Sequence, residues 1–368
     1  MRELRIGVDV RPLCHPGTGI YRYTAELLQR MCAMGGDWFF YSPQPYDTGP
    51  FTRPNVRHRI AGLPSAIRAS QTAQLFFPLW AKRDALDVFW GPRHQLPLFL
   101  PGSIRSAVTI HDLVWKEFGK TMRFPGREIE AFFMPRAMAR ATDIAVVSEF
   151  TRCEVEKYYP RFSDKVSIVT GASLLHGAPG ALAEGQTAQG YFLFVGTLEP
   201  RKNLPRLLCA YARFVATCPH ARKLKIVGGQ GWGGHDTLEL VRELSLSDRV
   251  EILGRLDDDQ LKQMYRGAYA LVMPSLYEGF GLPIAEALSM EVPVITSRQS
   301  AMSEVAGGAG LLVDPFSERE IADALRRLSE NTAVYETLRA RTHVESRRYD
   351  WDRSAAKMYR LLTGATGE

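Results

Sequence analysis

Residues 191–215, YFLFVGTLEPRKNLPRLLCAYARFV, decide how the rest of the chain is read. YFLFVG is an apolar, aromatic-rich run of strand length ending on a glycine. After the polar loop TLEPRKN, apolar residues recur at helical spacing in LPRLLCAYARFV. Buried strand, loop and helix in that order form part of a βαβ unit. Downstream the pattern continues: LKIVGG, VEILG, AYALVMPS and PVITS read as strands, separated by helical segments such as DQLKQMYRGA. Upstream, LRIGVDV reads as a buried strand followed by the loop RPLCHPGTG. The next segment, IYRYTAELLQRMCAM, places Ile20, Leu27, Leu28 and Met31 at helical spacing. DVFWG, SAVTIHD and DIAVVS are further strand-like runs, each followed by polar or helical sequence.

Between the two series the periodicity stops. ASLLHGAPGALAEGQTAQG, at 172–190, is rich in Gly and Ala and reads as a linker. The expectation is an α/β chain of two Rossmann-like domains facing a central cleft: residues 1–175, a linker at 176–190, and residues 191–345. A final helix within 346–368, from YDWDRSAAKMYRLLTG, would pack back on the first domain. A length of 368 residues suits two cores rather than one. In parallel sheets of this kind ligands bind outside the carboxyl ends of the strands, so the loops after each strand are where chemistry is expected.

Two such loops stand out. In GTLEPRKNL, Arg201 and Lys202 follow a strand and precede a helix whose free N–H groups already favour anions. Together they form a candidate diphosphate clamp. In LYEGFGLPIAEAL, Gly279 and Gly281 allow close backbone approach and Pro283 suits a first helical turn. Glu278 precedes that turn, and Glu286 lies about one turn into the helix. Two acids around an otherwise apolar Gly-rich turn can accept from different hydroxyls of one elongated polyol. His111 and Asp112, in TIHDL, lie at a strand exit in the first half, and Gly17, Thr18 and Gly19 precede its first helix. Asp257, Asp258 and Asp259 imitate a metal-binding triplet, but they sit where a helix wants an acidic cap. GGQGWGG lacks the GK[ST] ending of a P-loop.

Composition narrows the class. No apolar run approaches the ~18 residues of a membrane span. MRELRIGVDVRP enters a strand pattern directly, without the apolar core of a signal peptide. The five scattered cysteines, Cys14, Cys32, Cys153, Cys209 and Cys218, include no CxxC pair, an arrangement expected of a reducing compartment. The net charge of +6 is uneven: residues 1–180 carry 23 Lys/Arg against 16 Asp/Glu, and the remainder 23 against 24. Between Asp47 and Asp84 no acid occurs, whereas Arg53, Arg57, Arg59, Arg68, Lys82 and Arg83 do. Phe76, Phe77, Leu79 and Trp80 are interleaved with them. This basic stretch, residues 53–83, is a candidate contact for an anionic membrane surface. It is short and carries no recognition motif, so no nucleic-acid partner is expected.

These loops together resemble the retaining GT-B glycosyltransferases called family 4. The carriers are FVGTLEPRKNL, the spacing from Glu278 to Glu286 in PSLYEGFGLPIAEAL, the following VPVITS, and TIHDL with VVSEFTR. The resemblance is strongest over 191–315. It implies that Arg201 and Lys202 neutralise the donor diphosphate, that Glu278 holds donor-sugar hydroxyls and that Glu286 holds the ribose. It further implies that Gly19 approaches the diphosphate from the opposite domain and that His111 lies near the transferred sugar. Arg255 and Leu256 would line the base pocket, with Gly196, Gly279, Phe280, Gly281 and Leu282 completing the donor site. No metal and no other cofactor is implied. The acceptor would attack on the leaving-group face, without a covalent nucleophile. The TLEPRKN variant and the basic first half are similar to bacterial O-antigen or capsule mannosyl- and rhamnosyltransferases using GDP-sugars. The implied partners are then a sugar nucleotide and a glycan or lipid-linked acceptor, in the cytoplasm or at the inner leaflet. Two features depart from the family pattern: TGAS at Thr170–Ser173, where a PNGVD-like turn is usual, and Glu291, where glycine is usual. A sugar-nucleotide 2-epimerase of the same architecture, an inactive sugar-nucleotide sensor and a nucleic-acid-binding protein are the alternative readings.

Overall fold

The structure, a computed structural model, describes residues 2–62, 69–175, 190–232 and 237–364. Its contacts divide the chain into two compact units. The first comprises Met1–Trp115, Phe124–Gly171 and Asp350–Glu368; the second comprises Lys116–Arg123 and Ala172–Tyr349. Most of the expected linker, 176–189, lies outside the described residues.

The first unit carries strands β1 (Arg5–Asp9), β2 (Asp37–Ser42), β3 (Val56–Ile60), β4 (Val88–Gly91), β5 (Arg105–Ile110), β6 (Asp143–Val146) and β7 (Val166–Ile168). They form one sheet in the order β3-β2-β1-β4-β5-β6-β7, with every pairing parallel. The second carries β8 (Tyr191–Val195), β9 (Leu224–Val227), β10 (Val250–Gly254), β11 (Ala268–Met273), β12 (Val294–Ser297) and β13 (Gly310–Val313). Its order, β10-β9-β8-β11-β12-β13, repeats the same winding, again all parallel. In each sheet the chain first winds one way and then returns to wind the other. The reversal leaves a switch point between β1 and β4 in the first unit and between β8 and β11 in the second.

The cores explain the strands. Phe192 and Phe194 of β8 pack with Leu207, Leu208, Tyr211 and Phe214 of helix Leu204–Thr217, all essentially inaccessible. Each such side chain contributes about 1.5–3 kcal/mol on burial. In the first unit Phe77, Phe89, Val108, Met134 and Met138 form the corresponding cluster. β2, β3, β7 and β13 were not expected from the sequence. β3, VRHRI, is hidden by its charges, because Arg57 bonds Asp37 (3.2 Å) and Arg59 bonds Asp84 (2.7 Å).

The last helix, Trp351–Thr363, belongs to the first unit and packs on helix Gly19–Met31. Trp351 meets Tyr23 edge-on at 6.0 Å, and Arg30 bonds Asp352 at 2.7 Å. The segment Lys116–Arg123 lies in the second unit, where Phe118 packs against Tyr277 at 5.7 Å and Thr121 accepts from the Trp232 indole at 2.9 Å.

Candidate active site

The exit of β8 is built so that a lysine can lie flat across it. Gly196 has φ +156°, and a Cβ there would fall 3.2 Å from Lys202 Cε. Gly228, at the exit of β9, approaches so closely that a Cβ would lie 1.9 Å from the Gly196 carbonyl oxygen. Pro200–Lys202 form a tight turn, and Asn203 adopts the left-handed conformation (φ 61°) before helix Leu204–Thr217 begins. The Asn203 amide donates to the carbonyls of Pro274 (2.9 Å) and Pro315 (2.7 Å), which staples this loop to those after β11 and β13. Asparagine tolerates this backbone region better than most residues, and its amide uses the position.

The two loops meet in a four-residue charge set. Lys202 Nζ lies 2.7 Å from Glu278 Oε1, and Arg201 Nη1 lies 2.6 Å from Glu278 Oε2. Arg201 also donates to the Tyr277 carbonyl (2.7 Å) and through Nη2 to Glu199 Oε1 (2.5 Å). Two acids and two cations therefore balance. Burial alone would raise the Glu278 carboxyl, but the charges of Arg201 and Lys202, with their hydrogen bonds, outweigh it and hold it at about 2. The Glu278 backbone is fixed in turn by Ser300, whose hydroxyl accepts from Glu278 N at 3.2 Å. Ser300 itself has φ 59°. The loops suggest Arg201 and Lys202 as a clamp and Glu278 as a separate acceptor; in the fold they form one unit. Glu199 and Ser300 were missed. Glu199 lay in the same quoted loop, and two cations beside it were the available signal.

Glu286 occupies a different level. It is the fifth residue of helix Leu282–Ser289, almost wholly buried, and its Oε2 lies 2.9 Å from the Tyr265 hydroxyl. That hydroxyl also lies 3.1 Å from the Pro283 carbonyl. Gly281 precedes the helix with φ 100°, a conformation that favours glycine, while Gly279 and Phe280 are buried and Leu282 is half-buried. Phe280 packs edge-on against Tyr349 at 5.2 Å. Arg255, exposed, and Leu256, half-buried, follow β10 on the same carboxyl side of the sheet, two strands from β8. Asp257 is a helix cap: Oδ1 accepts from Gln260 N (2.8 Å), and the Gln260 side chain accepts from Asp257 N (3.1 Å).

Gly19 and His111 belong to the first unit. Gly19 opens helix Gly19–Met31, which is capped by the Thr18 hydroxyl accepting from Tyr21 N. His111 follows β5; its ring packs edge-on against Tyr23 (5.0 Å), and Nε2 lies 2.7 Å from the Pro92 carbonyl. That contact assigns the hydrogen to Nε2. Burial, with the neighbouring His94 and Arg93, pushes its pKa down to about 3, so the ring is neutral near pH 7. The His111 backbone N–H donates to His94 Nε2 (2.9 Å), and His94 Nδ1 faces Glu130 Oε2 at 3.1 Å.

The basic stretch does not form a uniform cationic face. Arg57 and Arg59 are paired with Asp37 and Asp84, Arg53 reaches the Gln29 carbonyl, and Arg68 lies outside the described residues. Lys82 and Arg83 are exposed at the end of helix Ala69–Arg83. Phe77 is buried and Phe76 and Trp80 are half-buried, whereas Leu75 and Leu79 are 63% and 65% exposed, one turn apart.

Comparison with known proteins agrees with this architecture. Residues 184–346 match the family described as Glycosyl transferases group 1. Over 98% of its length the chain is 28% identical to the O-antigen chain mannosyltransferase B of Escherichia coli, all of which is covered. It is 27% identical to the O-antigen chain mannosyltransferase RfbU of Salmonella typhimurium, over 88% of this chain and 90% of that one. Among solved structures, sucrose-phosphate synthase from Thermosynechococcus elongatus superposes with a TM-score of 0.77 at 22% identity, covering 99% of this chain and 100% of the other. The fold is GT-B.

Proposed function

We propose that this glycosyltransferase moves a hexosyl group, mannose or a related deoxyhexose, from a GDP-sugar onto a glycan or lipid-linked saccharide of a bacterial surface polysaccharide, with retention at the anomeric carbon. The observation that carries the reading is the set Glu278–Lys202–Arg201 at the β8/β11 switch point. Its two cations are preorganised beside the N-terminus of helix Leu204–Thr217, where a departing diphosphate needs positive charge. Glu278 keeps them in place while the site is empty and turns its oxygens to the hydroxyls of the donor sugar. Glu286, fixed by Tyr265, accepts from the ribose. The amides of the Gly279–Leu282 turn approach the phosphates. Both likenesses to O-antigen mannosyltransferases, at 28% and 27% identity, support the mannosyl donor and the polysaccharide acceptor.

A membrane-facing role has support in the first unit. Leu75 and Leu79 stand out from helix Ala69–Arg83 beside Lys82 and Arg83. Gln74 bonds Leu98 N at 2.7 Å, which brings the exposed Leu98 and Phe99 alongside. Apolar side chains flanked by cations suit an anionic leaflet that also presents a lipid-linked acceptor. No helix among the described residues is long and apolar enough to cross a membrane.

Calorimetric titration with GDP, UDP, ADP and dTDP, on the wild type and Glu286→Ala, tests the donor site. Selective GDP binding weakened by the mutation is expected. Preference for another base overturns the GDP-sugar, and no binding of any of the four overturns the donor site. Proton NMR of the first-formed product tests retention.

A further inference from the structure

The β1/β4 switch point of the first unit holds a dense set of buried polar groups outside the Glu278–Lys202–Arg201 set. Asp9 ends β1, and the Arg11 guanidinium grips its carboxylate through Nε (2.9 Å to each oxygen) and Nη2 (2.6 Å). Arg11 Nη2 also lies 3.4 Å from Gln95 Oε1, across to the loop that leaves β4. That loop is tightly wound: a Cβ on Gly91 would lie 2.2 Å from the Gln95 carbonyl oxygen, and His94 is held at φ 39°. Glu130 faces His94, as described above.

Arg93, on the same loop after β4, is the exception. It is half-buried, and its surroundings include the charges of Arg11, Glu130 and Asp9. Its guanidinium makes no hydrogen bond and no ion pair with any described residue. Asp9 is committed to Arg11, and Glu130 to His94. Taking a guanidinium partly out of water without an acceptor is costly. The fork of donors matches a phosphate group, which it can bind in bidentate fashion. In a doubly wound sheet the crevice outside the carboxyl ends at the switch point is where ligands bind.

We propose that Arg93 is the anion-binding residue of a second ligand site, at the β1/β4 switch point, which takes a phosphate ester carried by the acceptor substrate. The proposal rests on the glycosyltransferase reading only for which molecule brings the phosphate. The site itself follows from the first unit alone.

The test is calorimetric titration of the intact protein, saturated with the nucleoside diphosphate it binds, with inorganic pyrophosphate and with a short prenyl diphosphate. Wild type, Arg93→Ala and Arg93→Lys are compared, with melting temperatures to verify folding. Arg93→Ala should bind the probe at least about tenfold more weakly, as expected for loss of one charge-assisted contact. Arg93→Lys should recover part of the loss, and nucleotide affinity should not change. Loss for both probes supports a site for the phosphate itself, and loss confined to the prenyl diphosphate supports a lipid-linked source. Equal binding by all three proteins, no binding of either probe by the wild type, or weakening of the nucleotide instead overturns the proposal. If the wild type binds no nucleoside diphosphate, the proposed function fails, while the pyrophosphate comparison still reads Arg93.

Discussion

Lys202 and Glu278 are 76 residues apart in sequence, and their side chains meet at 2.7 Å between Nζ and Oε1. One leaves β8 and the other follows β11, the two strands that flank the switch point of the second sheet. The pair therefore sits where the winding of the sheet itself opens a crevice. A second contact, Arg201 to the other Glu278 oxygen at 2.6 Å, leaves neither carboxylate oxygen unused.

Lys202→Ala removes one of the two cations proposed to face the leaving diphosphate and leaves Glu278 paired with Arg201. Turnover should fall at least tenfold, on the order of 1.4 kcal/mol or more of transition-state stabilisation. Steady-state kinetics on protein verified as folded measures it; near-normal turnover would remove Lys202 from the chemistry.

Two buried groups predict the acid limb of stability. The Glu278 pKa is depressed in the fold, to about 2 from 4.5, so its contribution is complete above the unfolded value and disappears as the pH falls towards 2. His111 is also depressed, to about 3 from 6.5, and its neutral form is the stable one. Its contribution is likewise present above 6.5 and lost as the pH falls through 3. Denaturant unfolding between pH 7 and pH 2 should therefore show falling stability, and Glu278→Gln should flatten the part below pH 4.5. The variant should also be less stable at pH 7, by about 3–5 kcal/mol if the broken buried pair does not relax. NMR should show no titration of the His111 ring between pH 8 and pH 5.

Glu291 closes the turn after helix Leu282–Ser289 with φ 58°, a conformation that glycine adopts without strain. Its carboxylate lies 3.6 Å from Arg339, a long and partly exposed contact of little weight. Glu291→Gly should raise stability by about 0.5–1 kcal/mol, visible as a higher melting temperature. A lower one would show that the Arg339 contact outweighs the backbone strain.

Chelation should leave activity largely intact. In the proposed donor site Arg201 and Lys202 would supply the charge that a metal otherwise brings to a diphosphate, and Asp257 is engaged as a helix cap. Loss of turnover in EDTA that Mn or Mg restores would assign the acidic triplet a catalytic metal after all.

Much of this was legible in the linear chain. Arg201, Lys202 and Glu278 stand out because each lies in a polar, Gly- or Pro-bearing loop beside a strand-like apolar run, and Glu286 because it is an acid just inside the helix that follows the loop after β11. Glu291 stands out as a non-glycine at a helix-end turn, and its positive φ follows the same logic. The strands β2 and β3 were harder. DWFFYS has no alternation, being buried almost throughout, and VRHRI reads as polar because its arginines hide their charges in pairs with Asp37 and Asp84. Arg93, His94 and Glu130 gave no signal, since nothing local to DVFWGPRHQ says that a glutamate 36 residues beyond His94 will face it.

The sequence by itself determined the alternation of strand and helix, the two successive βαβ series and the charged loops that end them, because those depend on periodicity and turn chemistry over a few residues. Only the tertiary structure decided that β8 lies beside β11, that Glu278 answers both Lys202 and Arg201, and that Arg93 has no acceptor among the described residues. Strand order is set by crossovers and by packing between distant segments. A charge at a strand exit acquires its partners only when the sheet has chosen its neighbours.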